Sequence, residues 1–251
     1  MISAAADFHQ EVSRRLDTLA ERAADGTLDP AVDLLVEALD AGGVIQAFGT
    51  GHSEAFAMEI AGRAGGLIPT TRIALRDVVL YGDRPVTDLE GATMERDPDV
   101  VEELLSAAPL HEHDVFVIAS NSGVNGSIVG LALAAKERGH KIIAVTSMEH
   151  TMAVQPKHPS GKRLIDVADV VIDNLAPFGD ATLTLGEQYG AGAVSSMTAA
   201  FIAQALTLGV TERMLAAGAV PPLYISANRP GGDDHNHALE DRYRGRIRRG
   251  G

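Results

Sequence analysis

The sequence contains no cysteine and no tryptophan. Without thiols there is no disulfide, no thiolate nucleophile and no cysteine-ligated metal. Aromatics supply only 4% of the 251 residues. The core therefore has to come from Ala, Val, Leu and Ile, which suits helices packed on parallel strands. No stretch approaches the ~18 consecutive apolar residues of a membrane-crossing helix. The opening MISAAADFHQEVSRRL has no apolar signal core, so a cytoplasmic location is expected. Positive charge is scarce as well: 21 Lys and Arg against 34 Asp and Glu give a formal net charge of −13. A chain this acidic has no general attraction for nucleic acid or an anionic membrane, and neither is expected as a partner. Any phosphate it binds must be held by local geometry. The exception is the C-terminus, where Arg242, Arg244, Arg246, Arg248 and Arg249 crowd together. They read as a solvated terminal helix that neutralises acidic neighbours.

What is present is 45% hydrophobic and 22% charged, the balance of a folded protein long enough for one large α/β domain. Phe8, Val12, Leu16, Leu19 and Ala23 recur every three or four residues, marking an amphipathic helix. Asp29-Pro30 is a cap and first-turn pair for a second helix, with Val32, Leu35, Val36 and Leu39 as its apolar side. Gly42-Gly43 ends it, so residues 1–42 are expected to form a helical hairpin. Over 43–225 the pattern becomes strand, Gly- or Ser-rich turn, helix. Strands are expected at 44–48, 68–74, 115–119, 142–146 and 168–172, and helices at 54–64, 98–106, 127–139 and 191–208. Such alternation implies a parallel sheet with helices on both faces, in which ligands bind beyond the carboxyl ends of the strands. Residues 226–251 read as a polar tail contributing to a site or an interface.

Two turns attract attention by that strand-end rule. The first strand runs into Gly49-Thr50-Gly51-His52-Ser53 and then a helix. Glycines let the backbone turn sharply, and a helix start adds unpaired N–H groups, so the turn suits an anion. It is neither a dinucleotide fingerprint nor a Walker loop, because the third glycine of the one and the Gly-Lys-Ser/Thr of the other are missing. The second turn, Ser120-Asn121-Ser122-Gly123-Val124-Asn125, also separates a strand from a helix. Two hydroxyls, an amide side chain and a helix start can surround one phosphate without any lysine.

A glycine-rich turn ending in serine, followed about seventy residues later by "strand, SxSG, helix", resembles the SIS (sugar isomerase) domain family. Residues 114–147, DVFVIASNSGVNGSIVGLALAAKERGHKIIAVTS, read as a complete β-α-β unit of that family. The resemblance implies an αβα sandwich around a five-stranded parallel sheet of flavodoxin-like order, and a homodimer or larger assembly with shared sites. It assigns phosphosugar binding to Gly51, His52, Ser53, Ser120, Asn121, Ser122 and Asn125, the last standing where Ser or Thr is usual.

For chemistry, such a site needs a base that removes a carbon-bound proton next to a carbonyl. Glu59, in the helix after Ser53, is one candidate; Glu54 is favoured at that helix start by the dipole regardless of function. Glu90-Gly91-Ala92 resembles an element of the N-acetylmuramic acid 6-phosphate etherases, an SIS branch that works by elimination. Glu95 matches their glutamate only if Thr93 and Met94 are an insertion, and their other carboxylate falls on Arg63. Farther along, Glu149 and His150 follow a strand end, Glu187 precedes a helix, and Ser195 and Ser196 read as packing residues. In the tail, His235 and His237 read either as proton shuttles donated across a subunit interface or as part of an ordinary exposed loop; a metal is not expected there, because the ligands crowd one short loop. The expected activity is proton abstraction from an N-acetylated or free hexosamine 6-phosphate, leading to elimination, with aldose–ketose isomerisation or a non-catalytic sugar-phosphate sensor as alternatives. No cofactor is required by this chemistry.

Overall fold

The computed structural model describes residues 4–91 and 93–248. Five short runs rich in β-branched residues form one parallel sheet: β1 (Ile45–Gly49), β2 (Thr70–Ile73), β3 (Val115–Ala119), β4 (Lys141–Thr146) and β5 (Val170–Asp173). Their order is β2-β1-β3-β4-β5. β3 explains why these runs look continuously apolar. Val115, Val117 and Ala119 enter the core on one face, Phe116 and Ile118 that on the other, as expected when helices cover both sides.

On the first face lie α1 (Ala4–Ala24), α2 (Asp29–Asp40), α3 (Glu54–Ile60) and α8 (Ser195–Ala216). Leu19, Val32, Leu35, Phe56, Ile202 and Leu206 from these helices pack on Ala47, Val117 and Ile143 of the sheet. The N-terminal hairpin thus shares the core of the sheet. On the second face, α4 (Asp77–Leu80), α5 (Val100–Ala107) and α6 (Gly126–Glu137) bring Val78, Val101, Leu104, Ile128 and Leu131 against Phe48, Phe116 and Ile142. A short α7 (Met148–Ala153) follows β4.

The register decides where the two turns meet. Ile45 pairs with Val115 and Gly49 with Ala119, so the last residues of β1 and β3 lie side by side. β2 flanks β1 on its other side, which makes the β1/β3 boundary the point where the chain leaves in opposite directions, the usual ligand crevice of such sheets.

Three elements differ from expectation. Residues 181–193, whose last part reads as the start of a helix, form an antiparallel hairpin of β6 (Ala181–Leu185) and β7 (Tyr189–Ala193), and α8 begins only at Ser195. The polar tail contains a helix, α9 (Gly232–Glu240). The arginine segment beyond it is not a terminal helix. It runs beside the edge strand β2, where the Arg248 amide donates to Thr71 Oγ1 at 3.1 Å. Arg244 pairs with Asp241 (2.7 Å), Arg246 with buried Asp114 (3.5 Å) and Arg248 with Asp77 (3.8 Å) while covering the Tyr81 ring. Arg249, like Ala92, lies outside the described residues. Among the described residues no helix is long and apolar enough to cross a membrane.

Candidate functional site

The first turn folds back tightly on its strand. A Cβ on Gly49 would lie 2.3 Å from the Ser53 carbonyl oxygen, so only glycine allows Ser53 and the start of α3 to close over the end of β1. The second turn is stapled from below. Thr146, buried at the end of β4, donates its hydroxyl to the carbonyls of Ser120 (2.6 Å) and Asn121 (3.2 Å). Ser120 Oγ accepts from the Gly123 amide at 3.1 Å, which leaves its own proton free to donate elsewhere. Asn174, just past β5, donates Nδ2 to Asn121 Oδ1 at 2.8 Å.

These turns and the start of α8 line a narrow cleft, walled by His52, Ser53, Phe56, Ser120, Asn121, Asn174, Ser195 and Ser196. Asp180 holds the α8 end in place. Its carboxylate accepts from the amides of Val194 (3.1 Å) and Ser195 (2.8 Å) and from Ser195 Oγ (2.7 Å). With its proton given to Asp180, the Ser195 hydroxyl can only accept from a ligand. The cleft is therefore polarised, with donors on the β3 turn and an acceptor at α8.

Four of the expected binding residues, His52, Ser53, Ser120 and Asn121, share this cleft. Ser122 and Asn125 belong to the same turn but are not among its walls. Asn125 reaches instead to Glu95, donating Nδ2 to Oε1 at 3.2 Å, and Ser127 Oγ donates to the Glu95 carbonyl at 2.7 Å. The other oxygen, Glu95 Oε2, lies 3.5 Å from where a Cβ on Gly51 would stand. Glu95 thus sits between the two turns, beside the cleft and not among its walls.

The remaining candidates are elsewhere. Glu59 faces α8, accepting from Gln204 Nε2 at 2.7 Å and ion-paired with Arg63. Glu54 is held by Arg76 and, at 3.8 Å, by Arg72. His235 Nε2 meets the Leu223 carbonyl at 3.0 Å, and Leu223 bridges to Leu67, ahead of β2 and so at the amino end of the sheet. His237 is exposed on the same helix. Within one chain, neither histidine reaches the cleft. Glu187 stands exposed in the turn between β6 and β7. Glu149 accepts from the Phe178 amide at 2.9 Å, and the His150 ring meets Phe178 edge-on. Burial pushes the His150 imidazole below its ordinary value, although Asp180 pulls the other way.

Sequence reasoning missed Asn174 and Asp180 and gave Ser195 and Ser196 a packing role, whereas both serines wall the cleft. The strand-end rule reaches Asn174, one residue past β5; nothing local marks Asp180.

Comparison with known proteins bears on the family and the fold. The profile of the SIS domain matches residues 7–147. A UPF0309 protein of Geobacillus sp. (strain WCH70) is 33% identical over 241 residues, spanning 96% of each chain. One of Listeria monocytogenes is 35% identical over 236 residues, 94% of this chain and 95% of that one. Among solved structures, phosphoheptose isomerase GmhA from Neisseria gonorrhoeae superposes with a TM-score of 0.54 at 19% identity, covering 84% of this chain and 100% of its own. The E. coli CFT073 protein c3406 in complex with A5P gives 0.53 at 16% identity, covering 85% and 91%. At such identities these two structures speak for the fold. The profile match over more than half the chain and the near full-length relatives go further: this chain belongs to the SIS-domain family, within its UPF0309 group.

Proposed function

We propose that the chain is an enzyme that binds a hexosamine 6-phosphate, free or N-acetylated, in this cleft and removes the proton from C2 of its open-chain aldehyde. Ser53, Ser120, Asn121 and the start of α6 hold the phosphate. Glu95 is the base. The observation that carries this reading is the position of the Glu95 carboxylate, beside Gly51 of the first turn and bonded to Asn125 of the second. Glu59 is the weaker candidate because Arg63 and Gln204 already occupy its carboxylate.

In the proposed step the C2–H bond breaks, its proton passes to Glu95, and its electron pair forms the C1–C2 double bond of an enolate whose oxygen is the former carbonyl oxygen. In elimination that pair expels the C3 oxygen, which takes the proton back from Glu95 and leaves as water. His235 and His237 stand at the other end of the sheet within one chain, so no step needs them unless a second copy supplies them. Isomerisation shares the first step: the proton returns at C1, a free C2 amine passes one of its protons to the C1 oxygen, and water hydrolyses the resulting C2 imine to a ketose with release of ammonia. The resemblance of the Glu90–Glu95 stretch to the etherases favours elimination; the solved phosphoheptose isomerase favours isomerisation.

Incubation with glucosamine 6-phosphate and N-acetylglucosamine 6-phosphate, read by mass spectrometry, separates the two. Loss of the mass of water supports elimination, and a ketose phosphate released together with ammonia from glucosamine 6-phosphate supports isomerisation. Tight binding without turnover of either sugar overturns the enzymatic reading in favour of a sensor.

A further inference from the structure

The hydrogen-bond sense of the cleft is set from outside it, beginning at a group whose polarity is not in question. The Ala176 amide donates to Asn174 Oδ1 at 3.0 Å. A backbone N–H can only donate, so the oxygen of the Asn174 amide must face Ala176 and its Nδ2 must face the other way. There it donates to Asn121 Oδ1 at 2.8 Å. That bond in turn fixes the Asn121 amide with its oxygen inward. Asn121 Nδ2 then makes no hydrogen bond to any described residue, and Asn121 walls the cleft. Asn174 is itself 3% exposed, so solvent cannot compete for this arrangement. The backbone of the turn is held separately, by Thr146 and by the Ser147 amide on the Asn121 carbonyl.

We infer that Asn174 is a positioning residue that makes the Asn121 side chain a donor toward the cleft, there to meet a ligand oxygen that has no proton of its own, such as a phosphate or carbonyl oxygen. This rests on the cleft being the sugar-phosphate site. The relay runs in one sense, from backbone N–H through Asn174 and Asn121 to the ligand, and one isosteric change reverses its last link. In Asn174→Asp the carboxylate still accepts from Ala176 but has nothing to donate to Asn121 Oδ1. The Asn121 amide turns over to donate inward and shows its oxygen to the cleft, where an anionic oxygen is repelled.

The test is calorimetric binding of N-acetylglucosamine 6-phosphate to the full chain. Asn174→Asp should weaken binding by about ten- to a hundredfold, the worth of a hydrogen bond to a charged group. The same change made on top of Asn121→Ala should cost less than about threefold, because the side chain through which it acts is gone. Asn121→Asp, which keeps the buried bond to Asn174 but shows an oxygen to the cleft, should match the loss of Asn174→Asp and serves if that variant fails to fold. Equal losses from Asn174→Asp with and without Asn121 would overturn the inference, pointing to plain charge repulsion, as would parent-like binding by Asn121→Asp. Ser120→Ala keeps the two failures apart: if it weakens binding while the Asn174 losses are equal, only the positioning role falls. If Ser120→Ala binds like the parent, or the parent does not bind, the cleft reading falls and the inference with it.

Discussion

Residues that look alike in the sequence differ by what they already hold. Glu59 and Glu95 are both glutamates near a serine turn, but one is paired with Arg63 and Gln204 while the other touches both turns. That His52, Ser53, Ser120 and Asn121 come together was legible because each lies in a turn that follows a strand. Asn174 follows a strand too, but only the packed sheet shows that it acts on Asn121, 53 residues away; Asp180, 15 residues before Ser195, carries no local signal. His150 offers a test at this scale. Burial lowers its pKa from 6.5, and burial lowers that of His158 too. Below pH 6.5 the unfolded chain then binds protons more readily than the folded one, so their contribution to stability is complete above 6.5 and lost as pH falls beneath it. Urea midpoints should drop between pH 7.5 and 5.5, and drop less in His150→Gln. An equal drop in both would remove His150 from the explanation. Buried Asp77, whose pKa is raised, acts with the opposite sign but equally in both proteins.

At the scale of elements, the sheet was legible because buried parallel strands are short apolar runs between turn residues; β3 matches its expected 115–119 to the residue. The hairpin was not. Its second strand, Tyr-Gly-Ala-Gly-Ala, is glycine and alanine after its first residue, types that strands avoid. Gly192 is needed there all the same, since a Cβ would meet the Phe8 ring of α1 at 2.8 Å. α9 reads as a loop because Gly, Asp, Asn and His are poor helix formers, yet Asp233 and Asp234 fall in its first turn, where the dipole favours them. The hairpin matters because it ends in the α8 cap. Asp180→Ala removes three hydrogen bonds from the start of α8 and should lower stability by about 1–2 kcal/mol in denaturant titration. It should also weaken sugar-phosphate binding, because Ser195 loses its fixed orientation. Unchanged stability would mean that the α8 start is satisfied some other way.

The whole molecule carries an exposed apolar groove that the cleft does not use. Ala20, Ala23 and Ala24 of α1 face Phe201, Ala205 and Leu208 of α8 across it, with Leu208 61% exposed. Small residues of this kind let helices approach closely, and the expectation is a dimer or larger assembly. Light scattering at micromolar concentration should give at least twice the 26.3 kDa of one chain. Leu208→Asp should lower that mass, and raised salt should favour association by screening the net charge of −13. A single-chain mass for the parent would contradict this. Small apolar residues crowd both stretches in the sequence, but an apolar helix face becomes a surface only once the fold has covered the other sides.

The base assigned to the cleft is tested most directly by solvent exchange. Parent protein incubated with N-acetylglucosamine 6-phosphate and glucosamine 6-phosphate in deuterium oxide should exchange the C2 hydrogen of at least one. Loss of a positioned base costs about a hundred- to ten-thousandfold, so Glu95→Gln should reduce exchange to background while its calorimetric affinity for the same sugar stays within about threefold. Exchange at the parent rate by Glu95→Gln, or its loss only in Glu59→Gln, would contradict the assignment.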